Sequence, residues 1–270
     1  MKWLVVAVIA VAVLGFLVRT FEAKFAFFPS AGENTTPADL GVNYEAATIA
    51  TSDGERLRVW LLPHPTSLAT IIYFHGNGGN LSVWTQILVG VQRQGYTVYA
   101  LDYRGYGGST GKPTERGVYR DVHALVAWVE ARRPDRPLVY WGRSLGTTMA
   151  AYAATVGKPD GLILESGFAD ARSLLRGSPP MSFLALFSSY RFPTATLAAR
   201  GAVPVLVMHG DADRVIPIAN GRDLFARVPQ PKQFVTIRGA DHNDAAPADP
   251  RTYWNAVHGF VGGLSRSTAP

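Results

Sequence analysis

The chain has 270 residues, 47% of them hydrophobic and 17% charged, with no cysteine; this fits one large domain or at most two small ones and argues against a disordered or collagen-like chain. Lack of cysteine excludes disulfides, Cys-ligated zinc, iron–sulfur clusters and a thiol nucleophile. The net charge of +6 comes from 26 basic and 20 acidic residues; they are scattered, the densest short group being Arg132, Arg133 and Arg136, and no reader motif accompanies them, so no nucleic-acid partner is expected.

The first element in chain order is apolar throughout residues 3–18 and ends at Arg19, Glu22 and Lys24. As a helix the run is about 24 Å long, between a signal-peptide core and a typical spanning helix. Cleavage after Ala23 or Ala26 would leave Phe21 or Lys24 at −3, where a signal peptidase wants a small residue. Residues 1–24 are therefore expected to form an uncleaved single-pass membrane anchor, with secretion after signal cleavage as the alternative. Lys2 and the amino terminus stand against Arg19 and Lys24, so the positive-inside rule barely discriminates. The expected orientation has the N terminus inside and residues 25–270 on the extracytoplasmic side.

From about residue 44 short apolar runs alternate with longer amphipathic stretches. The runs 56–62, 70–74, 97–101, 138–141, 162–164, 205–208 and 234–237 are rich in Val, Ile, Leu or Tyr, and several lack alternation, as strands covered on both faces should. Between them 81–94, 115–133, 145–156, 218–228 and 249–261 are long enough for helices. Repeated strand–helix–strand order predicts an α/β fold built on a mostly parallel, doubly wound sheet. The one long interruption, 168–202, surrounds the apolar group 181–187 with prolines. It reads either as a short cap over a site or as an ordinary crossover helix with irregular flanks.

Gly142-Arg143-Ser144-Leu145-Gly146 fits G-x-S-x-G and falls between a predicted strand and a predicted helix. A sharp strand-to-helix turn demands small residues on both sides of a serine that protrudes above the sheet. A serine hydroxyl is a weak nucleophile at neutral pH, so it needs a base, and the base needs an orienting carboxylate. Loop position, a preceding strand, the order Ser…Asp…His, and location at a strand's C-terminal end together select Asp213 and His242. Asp211, two residues nearer its strand, is the competitor and would cap or turn the loop. His75 and His209 stand before glycine at strand ends, where a structural hydrogen bond is expected. In His75-Gly76-Asn77-Gly78-Gly79-Asn80 the glycines allow close backbone approach, so the amides of Asn77 and Leu145 are candidates for an oxyanion hole. Phosphate binding by the same loop is the lesser alternative, since neither common phosphate-loop pattern is present.

These motifs resemble the α/β-hydrolases, and among them the Bem46-like serine hydrolases related to the alpha/beta hydrolase domain-containing 13 and 17 groups. The resemblance is carried by Phe74 to Asn80, by Asp102-Tyr103-Arg104-Gly105-Tyr106-Gly107-Gly108-Ser109, by the acid and histidine segments, and by Phe27-Phe28-Pro29 after the apolar segment. It implies an α/β-hydrolase fold and a hydrolase needing no metal or other cofactor, in which Ser144 attacks an acyl carbonyl, His242 shuttles the proton and Asp213 orients His242. It favours Asp213 over Asp211. Family members include acyl-ester and thioester hydrolases, among them protein depalmitoylases, whose N-terminal cysteine cluster this chain lacks. The expected partners are a small-molecule or lipid-like acyl ester and, through the anchor, a membrane; Phe183, Leu184, Leu186 and Phe187 are candidate contacts for the acyl chain. A peptidase or amidase on the same residues, or a non-catalytic anchored binding module, are the alternatives, and the oligomeric state is not readable.

Overall fold

The computed structural model describes residues 1–132, 136–176, 178–244 and 246–264; Arg133, the expected end of one helix, lies outside them. The chain opens with helix α1 (Lys2–Ala26), a short strand β1 (Phe28–Pro29), β2 (Glu45–Ala50) and β3 (Arg56–Leu62). It continues through β4 (Ala69–Phe74), a short β5 (Gly78–Gly79), α2 (Leu81–Arg93), β6 (Tyr96–Leu101), α3 (Glu115–Glu130), β7 (Leu138–Arg143), α4 (Gly146–Val156) and β8 (Gly161–Glu165). Three short helices follow, α5 (Ala171–Leu175), α6 (Pro179–Leu184) and α7 (Thr194–Gly201), and then β9 (Val205–Gly210), α8 (Ile218–Arg227), β10 (Lys232–Ile237) and α9 (Pro250–Gly262).

The main sheet has eight strands in the order β10-β9-β8-β7-β4-β6-β3-β2. Only β3 runs against its neighbours. The fold is thus an α/β-hydrolase architecture, with a mostly parallel sheet and an apolar helix in front of it. Strand alternation divides the core into two layers: Ile72 and Phe74 of β4 pack with residues of α3 and α4, while Ile71 and Tyr73 pack with α2 and α9. Side chains fix several helix starts: Asn80 accepts from the Val83 amide at α2, Thr114 from Gly117 at α3, and Asp249 from Thr252 at α9.

After β4 the chain passes to β6 on one side, and β7 then returns to the other side of β4. Such a switch opens a crevice beyond the carboxyl ends of β4 and β7, where the His75–Asn80 loop and the Ser144 turn meet.

Three features differ from the sequence expectation. Strand β2 gives no apolar run because only Ile49 of its residues is buried, so periodicity could not reveal it. Helix α1 continues past residue 24, and Ala23 and Ala26 pack against the core. The interruption 168–202 is divided in use: residues of α5 and α6 share a cavity with Ser144, whereas α7 is a packed crossover helix whose Thr194 hydroxyl lies 2.7 Å from that of Thr148 on α4.

Candidate active site

Strand β7 ends in Gly142 and Arg143, and Ser144 then adopts φ +56°. A Cβ on Gly142 would lie 2.1 Å from the Gly146 carbonyl oxygen, and one on Gly146 would lie 2.0 Å from that of Phe74; the turn therefore closes only with glycine at both positions. Ser144 is held in its left-handed conformation, which costs about 1–2 kcal/mol for a residue with a Cβ. Its amide donates to the Glu165 carbonyl (2.9 Å) and its carbonyl accepts from the Thr147 hydroxyl (2.6 Å).

The loops after β9 and β10 bring two more groups to this turn. His242 Nε2 lies 2.9 Å from Ser144 Oγ, and His242 Nδ1 lies 2.7 Å from Asp213 Oδ2. Asp213 Oδ1 accepts from the amides of Val215 and Ile216 at 3.0 and 2.7 Å. All three side chains are buried. Burial alone would raise the Asp213 carboxyl, but hydrogen bonding from His209 and His242 and from the Ile216 amide outweighs it and holds the group well below the usual carboxylate range.

Arg143, the variable residue before the serine, turns behind it. One guanidinium nitrogen donates to the carbonyls of His242 (2.9 Å) and Asp244 (2.8 Å), and the group also faces Glu165 at 3.6 Å. Glu165 in turn accepts from Trp141 Nε1 and Tyr253 Oη. Thus the end of β7 leads into the serine and supplies, through Arg143, a clamp on the histidine loop.

On the opposite side, the Asn77 carbonyl accepts from the Phe28 amide (2.9 Å) and the Tyr106 hydroxyl (2.7 Å). The Asn77 and Leu145 amides donate to no other described residue, and both residues line, with Ser144 and His242, a cavity of about 570 Å³. The remaining wall comes from α5 and α6, from Val215 and Ile216, and from the end of α1. Among the described residues no group of three or more His, Cys, Asp or Glu side chains is placed to hold a metal ion.

A family model described as the alpha/beta hydrolase fold matches residues 69–183. Human alpha/beta hydrolase domain-containing protein 17B is 31% identical over 201 residues, covering 72% of this chain and 67% of that protein. The chain belongs to the α/β-hydrolase family. The uncharacterized membrane protein YNL320W of Saccharomyces cerevisiae is 28% identical over 84% of this hydrolase and 82% of its own length. Among solved structures, an esterase of Pyrococcus furiosus, Pf2001, superposes with a TM-score of 0.72 at 22% identity, over 88% of this chain and 98% of that one, a likeness of fold.

Of the residues singled out in the sequence, the hydrolase brings Ser144, His242, Asn77, Leu145 and Leu184 to one cavity, with Asp213 behind His242. It does not bring Phe183, Leu186 and Phe187 there. The cavity face of α6 and the turn after it carries Met181, Leu184 and Ala185, spaced by three and one, and helical periodicity turns the neighbouring aromatics to another side. Asp211 points elsewhere and accepts from the Gly239 amide (2.7 Å). His209 donates through Nε2 to the Ile216 carbonyl (2.7 Å), and His75 pairs with the Gly76 carbonyl (2.7 Å). Burial pushes His75 down to about 4, so it stays neutral. Sequence reasoning missed the clamp by Arg143 and the support of Asn77 by Phe28 and Tyr106. The Phe27-Phe28-Pro29 and Tyr103-to-Tyr106 motifs were visible, but only the fold places them behind one loop.

Proposed function

We propose that the protein is a membrane-anchored serine hydrolase of carboxylic esters or thioesters. The observation that carries this reading is the unbroken Ser144–His242–Asp213 hydrogen-bond chain facing a cavity flanked by two uncommitted backbone amides. Ser144 Oγ attacks the acyl carbonyl carbon while His242 Nε2 takes the hydroxyl proton, and ionised Asp213 holds the ring and stabilises its charged form. The oxyanion accepts from the amides of Asn77 and Leu145, a contribution of about 3 kcal/mol per donor in comparable sites. Collapse of the intermediate breaks the bond to the leaving oxygen or sulfur, which departs with the proton from His242. Water, deprotonated by the same histidine, then attacks the acyl-enzyme and releases the acid and free Ser144.

Helix α1 serves as the anchor. It is long and apolar enough to cross a membrane, with a mean hydropathy of 2.6 in its most apolar window, and in water it would expose an apolar surface far beyond the patches of ordinary soluble chains. Its last turns pack into the domain, which supports retention over cleavage.

The decisive measurement exposes the purified protein to a fluorophosphonate probe, with Ser144→Ala alongside, and follows p-nitrophenyl esters from acetyl to palmitoyl. Wild type is expected to label and to turn over esters, with both lost in the variant and turnover reduced at least roughly 10³-fold. A folded wild type that neither labels nor hydrolyses any ester would overturn the reading.

A further inference from the structure

The cavity at Ser144 has one wall that the hydrolase motifs do not supply. Val18, Phe25 and Ala26 of α1 line it together with Leu175, Met181 and Leu184 of the cap. The partly buried positions of α1, at 14–15, 18, 22–23 and 26, recur every three to four residues and so form one stripe facing the cap. Glu22 lies in that stripe and is engaged by the chain that follows α6: it accepts from the Ser188 hydroxyl (2.7 Å), the Ser189 amide (2.8 Å) and the Ser189 hydroxyl.

The same contacts fix the cap's depth relative to a bilayer. Arg19 Nε donates to the Phe187 carbonyl (3.3 Å), and the Phe187 ring packs against Gly15, one helical turn into the apolar run. Beside it Phe183, edge-on to Phe187, and Leu186 are 52% and 60% exposed. Apolar side chains held level with the apolar run of an anchor meet lipid rather than water.

Resting on the anchored serine-hydrolase reading, we propose that α1 is part of the substrate site: the acyl chain of a bilayer-resident ester or thioester lies between the last two turns of α1 and the cap, and enters from the lipid beside Phe183 and Leu186. This accounts for the three cap residues that do not reach the cavity, since they form its lipid-facing rim. It also explains why the anchor is continuous with the domain, without a flexible linker: the chain that fixes the protein to the membrane also closes the acyl groove.

The test uses full-length protein in phosphatidylcholine vesicles, with p-nitrophenyl acetate and p-nitrophenyl palmitate as substrates. Val18→Trp on α1 and Leu184→Trp on α6 are each expected to lower the ratio of kcat/KM on palmitate to that on acetate at least tenfold. The surface pair Phe183→Glu/Leu186→Glu is expected to do the same without touching the cavity. Palmitate turnover unaffected by the wall variants would overturn the groove, and palmitate turnover unaffected by the surface pair would overturn entry from the bilayer. Should one tryptophan variant lose both activities through misfolding, the other decides. Failure of wild type to label with fluorophosphonate or cleave acetate would instead sink the serine-hydrolase reading beneath it.

Discussion

Ser144 is usable only because its neighbours hold an unfavourable backbone in place. The glycines on either side remove steric conflict with Gly146 and Phe74, but they do not aim the histidine; Arg143 does, by gripping the carbonyls of His242 and Asp244. A misplacement of about 1 Å between reacting groups typically costs about 100-fold in rate. Arg143→Gln is accordingly expected to lower kcat ten- to a hundredfold with KM changed less than about threefold, read by steady-state kinetics on a short ester; a change in KM alone would deny the positioning role. At this scale the meeting of Ser144 and His242 was legible because the G-x-S-x-G turn and a histidine just after a strand carry local signatures. Arg143 was not, because the variable position of the pentapeptide has no signature: its partners lie about a hundred residues away, and only folding brings them within 3 Å.

Elements announced themselves in proportion to how much of them is buried. The fully buried β4, β7 and β9 left apolar runs that periodicity reads directly, and among the helices between them α2, α3 and α5 open on capping side chains. Edge strand β2 left no such trace. Between β6 and α2 the packing has a titratable consequence: Asp102 Oδ1 accepts from the Leu81 amide at the first turn of α2 (2.8 Å), and burial pushes its carboxyl up to about 7. The unfolded chain releases this proton near pH 4, so between about pH 4 and 7 the folded state binds more protons, and stability is lost as pH rises through that window. Asp102→Asn stays neutral. Thermal unfolding should therefore show wild type losing ground to the variant from about pH 4 to 7, by up to about 4 kcal/mol, and a constant difference across that range would contradict the raised carboxyl.

For the molecule as a whole, the junction between α1 and the sheet matters most. Phe27 is 3% exposed and meets Tyr190 and Phe192 edge-on at 5.8 and 6.1 Å, while Phe28 and Pro29 pair with Gly78 and Gly79. Helix α1, the segment after α6 and the His75–Asn80 loop are thus joined through three consecutive residues. Phe27→Ala should cost about 3–4 kcal/mol and lower Tm by roughly 10 °C, measured by calorimetry in detergent; a loss under about 1 kcal/mol would mean that the junction is loosely packed.

By itself the sequence determined the fold class and the chemical types present, because buried strands, glycine-flanked turns and a long apolar run are local consequences of side-chain size and polarity. Chain order and loop position already favoured Asp213 over Asp211, and the tertiary structure supplied the contacts, with Asp213 turned to His242 and Asp211 tied to Gly239. Only the tertiary structure turned Leu184 into the cavity and Phe183 and Leu186 away from it, and made the end of α1 a wall of that cavity. These outcomes depend on contacts between residues far apart in the chain, and periodicity within one segment carries no information about the segment it will meet.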